Sequence, residues 1–301
     1  NPRLILVMET ELWPNLVAQA RQRQVPVVLV NGRLSEKSYR GYARLGSVVR
    51  PMMQRLSLLL VQAAPDAERF RLLGAEAVEV TGSIKFDLQL TEELRSSATR
   101  LKQQFNGRPV WIAASTHPGE DEMILAAHAQ VLVTHPDAAL ILVPRHPERF
   151  NRVAEQVTET GMTLARRSAD QSPSTAQVYL GDTMGELLML FGVADVALVA
   201  GSLLPPLGGH NLLEPAAWSV PVLSGPHLQN FSTIAQWLQD AEGLVLVDGS
   251  ESLGKEVSEL LADPGRRQLL GQAACAVVEA HRGALARVLQ GVAGAWPSSS
   301  D

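Results

Sequence analysis

Short apolar runs alternate with helix-like stretches along most of this chain. Residues 4–8 and 196–200 are apolar without interruption, which is typical of parallel strands that are covered on both faces. Segments with helical spacing follow such runs, and capping residues mark their starts: Ser35 precedes a helix predicted over residues 36–45. The alternation therefore predicts an α/β fold in which helices connect the strands of parallel sheets.

The alternation pauses once, after residues 82–87, where a polar stretch interrupts it. We predict a domain boundary here, with residues 1–88 forming one βα half and residues 89–301 forming the other. A chain of 301 residues with 46% hydrophobic content suits two ordinary domains, each with its own core. The expected architecture is two consecutive βα halves that face each other across a cleft.

Charge and composition exclude several classes of protein. The 26 basic and 31 acidic side chains give a net charge of −5, so no global basic field is available for nucleic acid. No apolar run approaches the roughly 18 residues of a membrane span, and no signal peptide is visible. The single cysteine, Cys275, lies in an alanine-rich run and is predicted to be an inert core residue. Because the chain opens at Asn1 directly in a strand pattern, we expect it to be a fragment of a longer protein.

A glycine-rich segment after one buried run carries the strongest chemical signal. The run at residues 196–200 ends at Gly201 and Ser202, and a GGHN segment at 208–211 leads into a predicted helix with Glu214 in its first turn. Loops and helix N-termini at the carboxyl edge of a parallel sheet bind phosphates, and glycines let the backbone approach closely. A glutamate in the first helical turn is placed to reach a ribose diol. The segment therefore predicts a nucleotide-phosphate site.

Polar residues also follow two other predicted strands. Ser115 and Thr116 come directly after the strand at residues 110–114, and their hydroxyls suit a phosphate or a sugar. A helix N-cap without a ligand is an equally consistent interpretation. Arg145 follows the strand at 139–143 between two prolines, which favours a preorganised anion contact over an ordinary surface arginine.

Residues 31–55 differ in charge from the rest of the chain, with six basic side chains against one acid. The aromatic and sulfur-containing side chains interleaved with these bases are Tyr39, Tyr42, Met52 and Met53. This mixture suits a surface that meets anionic lipid or a phosphorylated glycolipid, and a solvated basic helix face is the alternative.

Two acids and a lysine in the first half are further candidates for chemistry. Glu9 and Glu11 follow the end of a strand, where carboxylates can transfer protons or can simply lead into a helix. Lys85 lies at the predicted boundary, where it either reaches into the cleft or is solvated.

Metal and P-loop chemistry find little support in the sequence. Residues 249–255 fit the P-loop pattern until Glu256 replaces the Ser or Thr that binds magnesium, so a capped helix is predicted instead. The chain has no HExxH, CxxC or Asp-x-Asp motif. The acids at 120–122 are predicted to be structural, since acids stabilise the start of a helix.

Taken together, the motifs resemble those of bacterial 3-deoxy-D-manno-octulosonic acid (Kdo) transferases, which are glycosyltransferases of the GT-B class. The similarity covers nearly the whole chain and includes residues 181–226, with GDTMGEL, AGSL, GGHNLLEPA and PVLSGPH in order. The other matching segments are METELWPNL (8–16), PVVLVNGRLSEKSYRGY (26–42), GSIKFD (82–87), AASTHPGEDE (113–122) and LVPRHPERF (142–150).

The resemblance implies a GT-B fold of two Rossmann-like domains, with CMP-Kdo as donor and the lipid A precursor as acceptor. It further implies inverting transfer without a metal or other cofactor, on a peripheral protein at the cytoplasmic face of the inner membrane. The donor-binding positions that it implies are Lys85, Ser115, Thr116, Pro144, Arg145, Gly181, Asp182, Met184, Gly185, Glu186, Gly201, Ser202, Gly209, His210, Asn211 and Glu214. The implied acceptor and membrane face consists of Arg33, Lys37, Arg40 and Arg44.

The chain departs from the family pattern at two places. The glutamate that is the family's candidate base precedes Asn1, so Glu9 and Glu11 are expected to assist at best, and this fragment is expected to turn over poorly. Leu212 stands where some relatives have proline. The alternative functions are a GT-B relative that uses a UDP-sugar, as transferase or epimerase, and a nucleotide-binding module without catalysis.

Overall fold

The computed structural model describes residues 2–297 and divides the chain into two compact units. The first unit comprises Asn1–Asp87 together with His281–Asp301, and the second comprises Leu88–Ala280. The predicted boundary at residue 88 agrees with this division, but the prediction that all later residues belong to the second half is wrong for the segment that begins at His281. A helix at Ala284–Ala295 packs Val288 against the first unit's sheet, and this contact places the C-terminal segment in the first unit.

The first unit is built on a parallel sheet of four strands in the order β1-β2-β3-β4. These strands are β1 (Ile5–Met8), β2 (Val27–Gly32), β3 (Leu58–Val61) and β4 (Val78–Val80). The connecting helices are α1 (Pro14–Gln22), α2 (Glu36–Arg44), α3 (Gly46–Met53) and α4 (Ala64–Leu72).

The core of the first unit lies between the sheet and these helices. Every residue of β2 is buried, and Leu29 packs in one cluster with Leu59 and Phe70. By contrast, α2 has no buried residue, although Ser35 caps it as predicted by accepting a hydrogen bond from the Ser38 amide at 3.1 Å. The unit therefore presents one helix almost wholly to its surroundings.

The second unit contains a seven-stranded parallel sheet in the order β11-β10-β9-β5-β6-β8-β7. The central strand is β5, and the chain order reverses between β5 and β9. The strands are β5 (Val110–Thr116), β6 (Ala139–Pro144), β7 (Leu164–Arg166), β8 (Val178–Leu180), β9 (Val196–Val199), β10 (Val222–Ser224) and β11 (Leu244–Leu246). The prediction of parallel sheets is thus confirmed in both units.

Eight α-helices accompany the second sheet in the described part of the chain. They are α5 (Glu92–Gln104), α6 (Glu120–Thr134), α7 (Phe150–Glu159), α8 (Leu187–Phe191), α9 (Leu213–Ala217), α10 (Ser232–Asp240), α11 (Ser250–Ala262) and α12 (Pro264–Ala280). The near match to a P-loop falls at the start of α11, so the predicted helix is confirmed, but no side chain caps its N-terminus at Gly249. Within residues 2–297, every helix is too short or too polar to cross a membrane.

Candidate functional site

The second unit brings most of the predicted site residues to the carboxyl edge of its sheet. Between β5 and β9 the chain order reverses, and in open α/β sheets the crevice at such a reversal is where ligands bind. Ser115 and Thr116 lie at the end of β5, and Gly201 and Ser202 follow β9. Ser115 has a positive φ of 60°, and a register irregularity interrupts the pairing of β5 with β6 there.

One buried carboxylate ties the ends of these two strands together. Glu120 is 0% exposed, and its Oε2 accepts hydrogen bonds from the amides of His117 at 3.0 Å and Gly201 at 2.8 Å. Its Oε1 accepts from the amides of Ser202 and Leu203, both at 3.0 Å. The prediction that this acid is structural holds, but its partners are the two loops of the site rather than its own helix.

Thr116 is held by a second buried carboxylate. Its hydroxyl donates to Asp121, which also forms an ion pair with Arg149. Arg149 donates in turn to the carbonyl of Thr116 at 2.6 Å, and burial raises the pKa of Asp121. The hydroxyl proton of Thr116 is therefore engaged within the protein, and its role in ligand binding stays a prediction.

Three histidines meet where β5, β6 and the glycine-rich segment converge. The Nε2 atoms of His117 and His210 are 2.8 Å apart, and the two rings are nearly parallel, with 6° between their planes. His146 lies edge-on to His117, with 5.5 Å between ring centroids. Burial lowers the pKa of His117, and burial with neighbouring positive charge lowers the pKa of His210 to about 4. Of these three histidines, only His210 is a predicted site residue, although His117 and His146 lie in the matching segments at 113–122 and 142–150.

Arg145 is the exposed cation of this cluster. Pro144, the last residue of β6, pairs in register with Thr116, and the Arg145 amide donates to the Thr116 carbonyl at 3.0 Å. Its guanidinium forms no hydrogen bond or ion pair with any other residue in the described range 2–297. Its charge nevertheless acts to lower the pKa values of His117, His210 and Glu214. Arg145 is therefore positioned by its backbone and available to an anion.

The glycine-rich segment positions Asn211 and Glu214 beside this cluster. Gly209, with a φ of 82°, donates its amide to the Gly201 carbonyl at 2.8 Å, which closes the loop. Asn211 accepts from the Leu213 amide at 3.2 Å and donates to Glu214 Oε1 at 3.0 Å. Burial raises the pKa of Glu214. The predicted helix is only the five residues of α9, so the site depends on these side chains more than on a helix dipole.

Ser202 connects the backbone segments at the ends of β9 and β10 through its hydroxyl. Its buried hydroxyl donates to the Val199 carbonyl at 2.9 Å and accepts from the Gly225 amide at 2.8 Å. A Cβ on Gly225 would lie 2.1 Å from the Ser202 carbonyl oxygen, so this position excludes any side chain. Ser202 is thus a structural link between β9 and β10.

The GDTMGEL segment, at residues 181–187, is anchored by arginines that sequence analysis did not identify. Asp182 pairs with Arg166 at 2.7 Å, and Glu186 pairs with Arg167 at 2.7 Å and accepts from Thr183. Hydrogen bonds from Arg167 hold the pKa of Glu186 below its usual value.

The other members of this segment have different surroundings. Gly181 packs against Val143, and Met184 is 65% exposed. Gly185 and Glu186 line a pocket of about 490 Å³ whose other walls come from α5, α8 and Arg167. The segment therefore offers backbone and apolar surface, while its acids are engaged.

The remaining predicted residues lie in the first unit. Glu9 has a φ of 55° at the end of β1 and forms an exposed ion pair with Lys85 at 3.5 Å, while Glu11 is exposed. Arg33, Lys37, Arg40 and Arg44 are all exposed, and Arg40 pairs with Glu36 at 2.9 Å.

Met52 and Met53 correct the predicted composition of this face. They were expected among the surface bases, but they lie in the core at 2% and 0% exposure because α3 turns them toward β2 and β3. Tyr39 and Tyr42 are half-buried against the same core.

Within residues 2–297, no three His, Cys, Asp or Glu side chains are grouped as ligands for a metal ion. The chemistry that the cluster offers is instead a guanidinium without a side-chain partner in the described range, a histidine pair, a half-buried carboxyl and several glycine-rich backbone segments.

Comparison with known proteins gives these features a family context. Residues 1–88 match a family model described as 3-deoxy-D-manno-octulosonic-acid transferase (kdotransferase). The chain is 42% identical over 294 residues to the 3-deoxy-D-manno-octulosonic acid transferase of Haemophilus influenzae, covering 96% of this chain and 69% of that protein.

Solved structures match as well. The crystal structure of the C-terminal CMP-Kdo binding domain of WaaA from Acinetobacter baumannii aligns with a TM-score of 0.60 and 36% identity, over 63% of this chain and 100% of that one. Anabaena HepE in complex with UDP aligns with a TM-score of 0.58 over 97% of this chain and 78% of that one. At 14% identity, the latter likeness shows the fold alone, and that fold is of the GT-B type.

Proposed function

The chain belongs to the Kdo transferase family of glycosyltransferases, and we propose that it transfers Kdo from CMP-Kdo to the lipid A precursor. We propose further that transfer inverts the anomeric centre and needs no bound metal. The single observation that carries the donor half is the cluster at the carboxyl ends of β5, β6 and β9. There an unpaired arginine, a histidine pair and a half-buried carboxyl lie together in a unit similar to a CMP-Kdo binding domain.

Arg145 and Glu214 each have a proposed role in holding the nucleotide. Arg145 offsets the charge of the phosphate, both in the bound donor and as CMP departs. Glu214, which Asn211 orients at 3.0 Å, accepts hydrogen bonds from the ribose hydroxyls. Stabilising the leaving group in this way supplies what a metal ion supplies in other transferases.

The loops around these side chains complete the proposed donor site. Gly201 and Gly209, with φ values of 71° and 82°, bring backbone close to the ligand without side chains. The segment around Gly185 offers a surface for the base. In the first unit, Glu9 at the end of β1 is the exposed carboxylate proposed to assist proton removal from the acceptor.

The acceptor half of the proposal rests on α2 and its surroundings. This helix has no buried residue, and Arg33, Lys37, Arg40 and Arg44 are exposed along it and just before it. Two apolar side chains next to it are also exposed, Leu45 at 61% and Val48 at 53%. Basic and apolar groups on one surface suit a phosphorylated glycolipid in an anionic membrane, and a peripheral site on the inner membrane follows.

We expect this surface to bind vesicles that contain the phosphorylated glucosamine disaccharide lipid. Replacing Lys37 and Arg44 by Glu should weaken vesicle binding roughly thirtyfold or more, since each basic group near an anionic surface contributes about 1 kcal/mol. Co-sedimentation of the protein with vesicles measures the change.

A matched pair of substitutions controls for net charge. Arg152→Glu with Lys255→Glu changes the charge equally at exposed positions of the second unit and should leave vesicle binding unchanged. If both double variants lose binding equally, the surface around α2 is not the lipid face. The donor half is tested separately by titration with cytidine and uridine nucleotides.

A further inference from the structure

His117 and His210 form a contact that the roles assigned above do not use. Their Nε2 atoms lie 2.8 Å apart, so one ring must donate a proton and the other must accept it. Among residues 2–297, neither ring has a hydrogen-bond partner at its Nδ1 atom. The pair thus shares one bridging proton while the outer nitrogens of both rings are left for a ligand.

The surrounding backbone fixes both rings in place. A Cβ on Gly201 would lie 2.5 Å from Cδ2 of His210, so the ring rests directly on the glycine backbone. The Gly201 amide and the His117 amide both donate to Glu120, at 2.8 and 3.0 Å. One carboxylate therefore sets the separation of the two segments that carry the rings, and the pair is preorganised.

The charges that face the pair come from three elements. Arg145, His146 and Arg149, after β6, act against protonation of His117, and the first two also act against protonation of His210. Glu120, at the start of α6, acts in favour of protonation of His117. Glu214, in α9, is a half-buried carboxyl that the Arg145 charge also reaches.

Protonation of the pair is therefore disfavoured without a ligand. Burial lowers the pKa of both rings, that of His210 to about 4, so both are neutral near pH 7. An anion bound beside Arg145 would offset that positive charge, which is one of those that oppose protonation of both rings, and would stabilise an imidazolium. Binding of an anion and binding of a proton are then coupled.

We propose that His117 and His210 act as a proton-sharing pair that binds the phosphate of the nucleotide and takes up one proton from solvent as it does so. This inference rests on the proposed donor function. The two neutral rings carry two ring protons, and the pair in the complex carries three, with one bridging the Nε2 atoms and one positive charge. No covalent bond forms or breaks. Because protons are taken up, donor affinity rises as the pH falls toward the pKa of the free pair.

Calorimetric titration in two buffers tests this coupling directly. The probe is the methyl ester of CMP, whose phosphodiester carries one negative charge throughout the neutral range, as the donor's does. At a pH of about 6.5, we expect different binding enthalpies in PIPES and in Tris. Divided by the difference between the ionisation enthalpies of the two buffers, this difference should give an uptake of roughly one proton per nucleotide. Cytidine, which lacks the phosphate, should bind without proton uptake.

Variants separate the pair from other histidines. His117→Gln and His210→Gln should each abolish proton uptake and weaken binding of the ester, while His135→Gln, whose ring contacts the Ser258 carbonyl instead, should change neither. Binding by the unchanged protein without proton uptake would overturn the inference and leave the nucleotide site intact. Uptake that persists in both variants would overturn it as well. If the ester does not bind at all, the proposed donor function fails together with the inference.

Discussion

Glu120→Gln is expected to lower the free energy of unfolding of the second unit by about 3 to 5 kcal/mol. Four backbone amides donate to this fully buried carboxylate, from His117 and from residues 201–203. In glutamine an NH2 group replaces one of the two carboxylate oxygens, and this group donates instead of accepting. Two of the four backbone N–H groups are then left without an acceptor in a site away from water. Each buried donor without a partner costs about 1 to 3 kcal/mol, and the charge of the remaining bonds is lost.

Urea denaturation followed by tryptophan fluorescence measures this change. Trp111, Trp218 and Trp237 lie in the second unit and report its transition. The matched control is Glu122→Gln, because Glu122 is exposed on the same helix and accepts a single side-chain hydrogen bond, from Gln156, among the described residues. It should change stability by less than about 0.5 kcal/mol. Equal stability of the two variants would show that the carboxylate does not hold β5 and β9 together.

Arg145→Ala is expected to reduce affinity for CMP roughly ten- to a hundredfold while leaving the fold unchanged. A charge-assisted contact to phosphate contributes about 1.5 to 3 kcal/mol, and no other residue in the described range competes for this guanidinium. The side chain is exposed and unpaired, so its removal should alter the free energy of unfolding by less than about 0.5 kcal/mol. Isothermal titration with CMP gives the affinity, and thermal unfolding checks the fold.

Two further variants sharpen this test. Arg145→Lys keeps the charge but loses the planar fork, so it should recover part of the affinity. Arg152→Ala removes an exposed arginine from α7 and should bind CMP as the unchanged protein does. If Arg145→Ala also retains full affinity, Arg145 is not the phosphate ligand.

Most strands could be predicted from the sequence, because buried parallel strands leave continuous apolar runs. Three elements could not. In α5 only Ala98 and Leu101 are buried among mostly polar neighbours, so its periodicity is faint, and β7 is only three residues long. The C-terminal helix belongs to the first unit because Val288 packs in one cluster with Val28 and Leu60. These partners lie more than 200 positions away in the sequence, so no local pattern indicates the contact.

Some residues of the candidate site could also be predicted from the sequence, and others could not. Glycines, Arg145 and Glu214 could be found because each follows a strand or opens a helix, and those positions are local features. The role of Glu120 could not, because its partners at residues 201–203 lie about eighty positions further along the chain. Donor contacts of Asp182 and Glu186 stay predictions. Their ion pairs with Arg166 and Arg167 could not be predicted, because these arginines lie in a segment without a clear pattern.

Binding of a cytidine nucleotide by the second unit can be measured by titrating this chain with CMP and with UMP under identical conditions. The two bases differ in the hydrogen-bonding groups of one edge, and a site built for one leaves buried groups unpaired with the other. We expect at least roughly tenfold tighter binding of CMP. Equal or tighter binding of UMP, or no binding of either, would contradict it.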